Sequence, residues 1–278
     1  MFSELMNLRR ESQTRFEGAR APDCGVRLFG GQFMAQSLMA AQATVADDRE
    51  AHSLHAYFLR PGDPELPIYL SVEVVRDGRT FSSRQVVAKQ NEKELFRMMV
   101  SLQTETQSLD YTAAVMPDVP PPEEVEYTYN QFTCEQTGRD DWPGSARPID
   151  IRYINPPAER GVAVVESQLM WMRISTPIPD GARTHYAGLA YLSDSTVVDH
   201  LMLPHGLRWQ DEGFEGASLD HALWFHRPAR ADEWLLFVQT AHTTGAGRGL
   251  GSGQFFDRAG NLVATCAQEG LMRWSQKT

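Results

Sequence analysis

The chain is 278 residues long with 42% hydrophobic content, enough to bury the cores of two lobes, and it carries a formal net charge of −10. No basic tract offsets that charge, so general nucleic-acid binding is excluded and a polyanionic ligand has to be met by a local cluster of arginines. There is no apolar run of membrane-spanning length and no signal-peptide core. Three unpatterned cysteines, Cys24, Cys134 and Cys266, argue against a disulfide framework, and a cytoplasmic setting is expected.

The first predicted element is a helix in which Phe29, Phe33, Met34, Ser37, Leu38, Ala41 and Val45 form one stripe, opened by Gly30 and Gly31. The segment His52 to Pro61, HSLHAYFLRP, follows as a strand. Next comes an alternating strand with Leu70, Val72 and Val74 against Ser71, Glu73 and Arg76, a hairpin at Asp77-Gly78, and a strand from Ser83 to Gln90. A turn then leads to a last strand from Glu94 to Gln103. Residues 106–150, acidic and centred on Pro120-Pro121-Pro122-Glu123-Glu124, are expected to form a linker. Beyond it a second helix is predicted over His185 to Leu203. Its first half, HYAGLAYL, is apolar almost all round, which marks a buried helix.

Ser218 to Pro228, SLDHALWFHRP, then repeats the earlier strand with Phe, Arg and Pro in register. Strands at Trp234–Thr240, Gly251–Phe256 and Leu262–Gln268 complete the second copy, and Leu102-Gln103-Thr104 stands beside Ala267-Gln268-Glu269. One long helix per antiparallel sheet, twice, is the pattern of an α+β tandem (double) hotdog. Residues 1–105 form the first unit and 151–278 the second. A duplicated fold whose copies have diverged tends to keep its chemistry in one of them. Matching the two helices places Gln36 near the position of Asp194, and an amide there cannot act as a base.

No G-x-S-x-G, H-E-x-x-H, paired C-x-x-C or P-loop motif occurs, and neither a metal nor a cofactor is expected. Glycines at 245, 247, 249, 251 and 253 recur at strand period, so one face of a strand is open either to close packing or to a ligand. Arg248 among them favours an anion. On strands, His52 and His55 point to opposite faces, as do Asp220 and His221, which argues against metal ligation from these pairs. They and His226 are read as structural.

The blocks FGGQFMAQSL, HSLHAYFLRPGDPELPI, RDGRTFSSRQVVAKQ, YLSD, SLDHALWFHRP, WLLF, RGLGSG and AQEGLMR, in that order from about Phe29 to Arg273, resemble the acyl-CoA thioesterase II family of the TesB type. The resemblance implies a double hotdog that hydrolyses fatty acyl-CoA, its one expected small-molecule partner, to free acid and CoA. A homo-oligomer is expected. It also implies a water activated by an Asp, a Gln and a Ser or Thr. Asp194 and Gln268 match the first two. The third is expected just before the Arg248-Gly249 pair, where Ala241-His242 stand, so either His242 replaces the hydroxyl or Thr243 or Thr240 supplies it. Gly30, Gly31, His52 and Arg248 are candidates for substrate binding.

The residue chemistry agrees. A carboxylate in an apolar helix is desolvated, which raises its pKa towards the range of a general base. A glutamine amide both donates and accepts, and so orients a water. A backbone N–H at a helix turn is the simplest oxyanion donor. Two other classes stay open. A hotdog enoyl-thioester hydratase or dehydratase needs a His or Glu acid/base beside the Asp, and a non-catalytic acyl-CoA binding protein would fit the altered third position.

Overall fold

The structure, a computed structural model, describes residues 2–21, 27–137, 147–209 and 211–275. Cys24 and residues 138–146 of the expected linker lie outside them. The chain opens with α1 (Phe2–Leu5), β1 (Arg9–Arg10) and β2 (Arg15–Gly18), then the long helix α2 (Gly30–Gln42). The strands β3 (Arg49–Phe58), β4 (Ile68–Asp77), β5 (Phe81–Gln90) and β6 (Lys93–Thr104) follow. After α3 (Tyr129–Thr137), β7 (Ile149–Tyr153) and β8 (Gln168–Ile174) come α4 (Ala182–Ser193) and the short α5 (Val197–His200). The chain closes with β9 (Phe214–Ser218), β10 (Asp220–Phe225), β11 (Leu235–Gly245), β12 (Arg248–Phe256) and β13 (Leu262–Trp274).

The described strands form one antiparallel sheet in the order β1-β2-β4-β5-β6-β3-β10-β13-β12-β11-β8-β7, with β9 also paired to β13. Read outwards from its centre, β3-β6-β5-β4 mirrors β10-β13-β12-β11. The seam is the pairing of β3 with β10, where Leu54 faces Leu223 across the strands. Alternation explains the inner face: Phe96, Met98, Val100 and Leu102 of β6 are all buried, and they cover a core that includes Phe33, Met34 and Leu38 of α2. Each such side chain contributes roughly 1.5–3 kcal/mol on burial. The α4 residues Ala187, Leu189, Ala190, Tyr191 and Leu192 have no measurable exposure, as the all-round apolar sequence requires.

Two expectations are corrected. The second helix does not run from His185 to Leu203. It stops at Ser193, and Asp194 is its C-cap at φ −91°, ψ 0°. The Ser193-Asp194-Ser195-Thr196 run supplies side chains that find partners outside the helix ladder: Ser193 Oγ lies 2.9 Å from His221 Nε2 and Thr196 Oγ1 bonds Gln239 Oε1. The segment between the copies is not a bare linker either. It contains α3, and the carbonyls of Pro120 and Pro122 accept hydrogen bonds from Trp171 Nε1 and Arg152 Nη1.

The register carries the repeat into individual pairs. Phe58 facing Phe96 corresponds to Phe225 facing Ala264, and Ala51 facing Leu102 corresponds to Ser218 facing Gly270. Even a bulge recurs, between Val74 and Arg76 in one copy and between Ala241 and Thr243 in the other. On this register Val100, not Gln103, occupies the place of Gln268. The helix C-caps Ala43 and Asp194 correspond, so Gln36 is not the counterpart of Asp194. Gln36 lies mid-helix, its amide donating to Leu5 O and Ala19 O.

Candidate active site

The end of α4 lies against the start of α2, and the residue types at that contact follow from it. Gly30 has no room for a side chain, since a Cβ there would lie 2.5 Å from Asp194 Oδ2 and 2.8 Å from the Phe58 ring. The Gly31 backbone N–H donates to the Asp194 carboxylate. The positive end of the α2 dipole therefore faces the carboxylate.

Gln268 reaches the same carboxylate from β13. Its inward position on the strand buries it completely, and Nε2 donates to Asp194 Oδ1 at 2.5 Å and to Ser218 Oγ at 2.9 Å. Ser218, the last residue of β9, places its hydroxyl 3.4 Å from Asp194 Oδ1. A helix cap, a strand interior and a strand end thus converge on one point. Burial pushes the Asp194 pKa up to about 6, against the opposing pull of Gln268, Arg147, Gly31 and Ser218. Five residues on, burial raises Asp199 to about 7, with the Tyr129 hydroxyl 3.5 Å away.

Asp194 and Ser218 open into a cavity of about 730 Å³ between the two copies. Phe29, Phe33 and Phe58 line it from the first copy, Val198, Trp209 and Phe214 from the second, and Arg27, Arg60 and Arg147 also contribute. The volume and apolar walls suit a flexible hydrocarbon chain, and the guanidinium groups suit phosphates.

Of the sequence candidates, Asp194, Gln268, Gly30 and Gly31 are brought together. His242 and Thr243 are not. Strand parity decides this: Gln268 points inward opposite Gly251, so Ser252 and Leu250 point outward. His242 is exposed and bonds Ser252 Oγ at 2.6 Å, while Thr243 is exposed opposite Leu250. Thr240, paired with Ser252 on the same outer face, bonds Ser167 Oγ.

His52 and Arg248 are also elsewhere. His52 bonds Ser101 Oγ at 2.8 Å with its ring against Phe81, and Arg248 pairs with Glu269 at 2.9 Å. Neither lines the cavity. The alternating glycines serve close packing instead of an anion: Gly249 and Gly251 lie against Leu201, and Gly251 also against Val197. The residue at this point that the sequence does not flag is Ser218, the first residue of the second-copy SLDH block.

Residues 19–103 match the acyl-CoA thioesterase N-terminal domain and residues 117–272 the acyl-CoA thioesterase C-terminal domain. The chain is 36% identical to Homo sapiens acyl-coenzyme A thioesterase 8, over 98% of this chain and 89% of that one. Its structure superposes on the acyl-CoA thioesterase II TesB2 of Mycobacterium marinum with a TM-score of 0.82 and 34% identity, covering 100% of each chain. It also superposes on a hot dog fold protein from Alicyclobacillus acidocaldarius with a TM-score of 0.81 at 22% identity, over 99% and 98% of the two chains, which shows a shared hotdog fold. The chain belongs to the acyl-CoA thioesterase II family.

Proposed function

We propose that this protein is a double hotdog enzyme that hydrolyses fatty acyl-CoA to free acid and CoA, with Asp194, Gln268 and Ser218 activating the water. The observation that carries the reading is the convergence of those three side chains at a largely apolar cavity of about 730 Å³. The thioesterase names of the relatives support the substrate class.

The chemistry follows from the groups present. Above a pKa of about 6 the Asp194 carboxylate is ionised and has a basicity suited to neutral solution. Ser218 holds a water beside it, and Gln268 fixes the carboxylate and that hydroxyl in place by donating to both. As the water oxygen attacks the thioester carbonyl carbon, Asp194 takes its proton. The oxyanion is met by a backbone N–H at the start of α2, where Gly30 lines the cavity. When the C–S bond breaks, Asp194 returns the proton to the departing thiolate, leaving acid and CoA thiol. No covalent nucleophile is needed, because a thioester carbonyl is already electrophilic.

Neither alternative class has a supporting feature. A hydratase needs an acid/base His or Glu beside the carboxylate, but the groups that bond Asp194 are Gln268, Ser218 and the Gly31 N–H, and His221 stands behind Gln268 and Ser193. The case for a non-catalytic binder rested on an altered third position, and Ser218 fills it. Cys134 and Cys266 are both free thiols, in keeping with a reducing cytoplasmic setting.

The test is a thiol-release assay with a thiol-reactive dye over short, medium and long acyl-CoAs, with the free acid quantified in parallel. Stoichiometric thiol and acid are expected. Tight acyl-CoA binding with no thiol released at any chain length would overturn the reading.

A further inference from the structure

Both N–H groups of Gln268 are committed, one to Asp194 and one to Ser218, yet its Oε1 is buried with no partner among the described residues. A second orphan lies next to it. The pairing of Ala222 with Ala267 sets His221 beside Gln268 on the same inner face of β10 and β13. His221 is 1% exposed, its Nε2 is 2.9 Å from Ser193 Oγ, and its Nδ1 is buried without a partner. Buried polar atoms are rarely left unpaired, and these two belong to adjacent side chains.

We infer that His221 is a positioning residue for the proposed hydrolysis: its neutral ring carries the proton on Nδ1, donates it to Gln268 Oε1, and accepts the Ser193 hydroxyl proton at Nε2. Hydrogen-bond accounting leads to this tautomer. Since Gln268 spends both N–H groups on Asp194 and Ser218, its oxygen needs a donor, and His221 is the neighbouring group that can be one. With Nδ1 protonated, Nε2 is a bare acceptor, and the hydroxyl that reaches it is that of Ser193. Its 3.0 Å contact with Ala190 O then carries no proton.

The arrangement matters because an amide has two orientations. Flipped, Gln268 would aim Oε1 at Asp194 Oδ1 across 2.5 Å, two acceptors face to face, and Asp194 and Ser218 would both lose their donor. An Nδ1–H behind the amide admits only the productive orientation. Burial keeps the ring uncharged by pushing its pKa down to about 3, so the tautomer persists throughout the neutral range.

The first copy supports the pairing independently. Leu54 faces Val100 at the matching place in β3 and β6, so where there is no amide to orient there is no imidazole.

This inference rests on the proposed role of Gln268, and the experiment separates the two. In the full chain, His221→Leu installs the residue that the first copy carries there. It should lower kcat by about 10- to 100-fold, the usual cost of losing an outer partner of a functional group, with KM nearly unchanged. His221→Asn, whose amide nitrogen approximates Nδ1, should restore most of the loss. In a Gln268→Ala background His221→Leu should cost nothing further. Nitrogen NMR of the labelled imidazole should show the Nδ1-protonated form.

A folded His221→Leu enzyme with wild-type kcat, or an Nε2-protonated ring, overturns the inference. Should His221→Leu not fold, the Asn variant and the NMR tautomer decide. Failure of the wild-type chain to release thiol would instead overturn the functional reading, and the tautomer measurement would still test the bond to Gln268.

Discussion

The C-terminal end of α2 and that of α4 are built on the same backbone and hold opposite contents. In the first copy the matching positions are Ala43, Ala51 and Val100, and Arg84 stands where the second copy has Gly251. Arg84 is 2% exposed, with Nε donating to Thr44 Oγ1, Nη2 to Thr44 O, and Nη1 paired with Asp77 at 2.9 Å. A guanidinium at a helix C-terminus satisfies its last carbonyls and complements the dipole. In the second copy Gly251 leaves that space to Val197 and Leu201, and the helix ends on Asp194. A carboxylate there opposes the dipole of its own helix and is held by groups from other elements. One copy uses the position for stability, and the other holds there a buried carboxylate whose pKa burial raises.

The sharpest test of that contrast is Asp194→Asn, which keeps the shape and removes the base. A fall in kcat of about 10² to 10⁴ is expected from steady-state thiol release. Near-normal turnover in a folded variant would remove Asp194 from the chemistry.

Giving the second copy the residues of the first should come next. Gln268→Val is expected to cost about 10² in kcat and Ser218→Ala about tenfold, on the usual scale for losing a group that acts only in the transition state. If Ser218→Ala is silent, the water is held without the hydroxyl.

Acid should act on the two copies with opposite sign. Asp194 must be ionised to work, so kcat/KM should fall as pH drops through about 6. Its folded pKa lies above the unfolded value, so its contribution to stability is full below the unfolded pKa and is lost as pH rises through about 6. Asp194→Asn should therefore raise Tm at pH 8. In the first copy the hydrogen bond from Arg84 holds Asp77 below the usual carboxylate range. Its contribution is present at neutral pH and disappears only as pH falls through that lowered value. Replacing Arg84 with Met should lower stability by about 1–3 kcal/mol, because the carbonyls of Thr44 and Arg76 and the Asp77 carboxylate lose the buried guanidinium that donates to them, and kcat should stay unchanged. Denaturant titration beside thiol release checks both halves of that statement.

The smallest effect is expected from His242→Ala. An exposed ring on the outer face of the sheet should leave kcat, KM and the pH profile as they are, and a loss above a few-fold would show that the outer face communicates with the site.

The repeat, the long helices and the Asp–Gln pair were legible in the linear sequence, because periodicity and a family resemblance both act along the chain. Ser218 was not. Its place is set by pairing with Gly270 on β13, two positions beyond Gln268, and counting from the Arg248-Gly249 pair cannot reveal a partner on another strand. His242 was misplaced for a related reason: it falls in the bulge between Ala241 and Thr243, where strand parity slips. The early end of α4 escaped notice because Ser193, Ser195 and Thr196 are buried in the fold, and composition alone does not distinguish this from a helix interior.

The seam between β3 and β10 has a consequence for how substrate enters. Five consecutive residue pairs, Asp220 to Trp224 against Tyr57 to Ser53, join the two copies into one continuous ladder. Prying the copies apart would break that ladder, so the cavity between them has no domain hinge to open it. Admission of an acyl chain is left to local movement at the rim, where Trp209 and Phe214 stand edge to face at 5.4 Å. Substitutions at these two rings should therefore alter which acyl groups enter without altering how the thioester is cut.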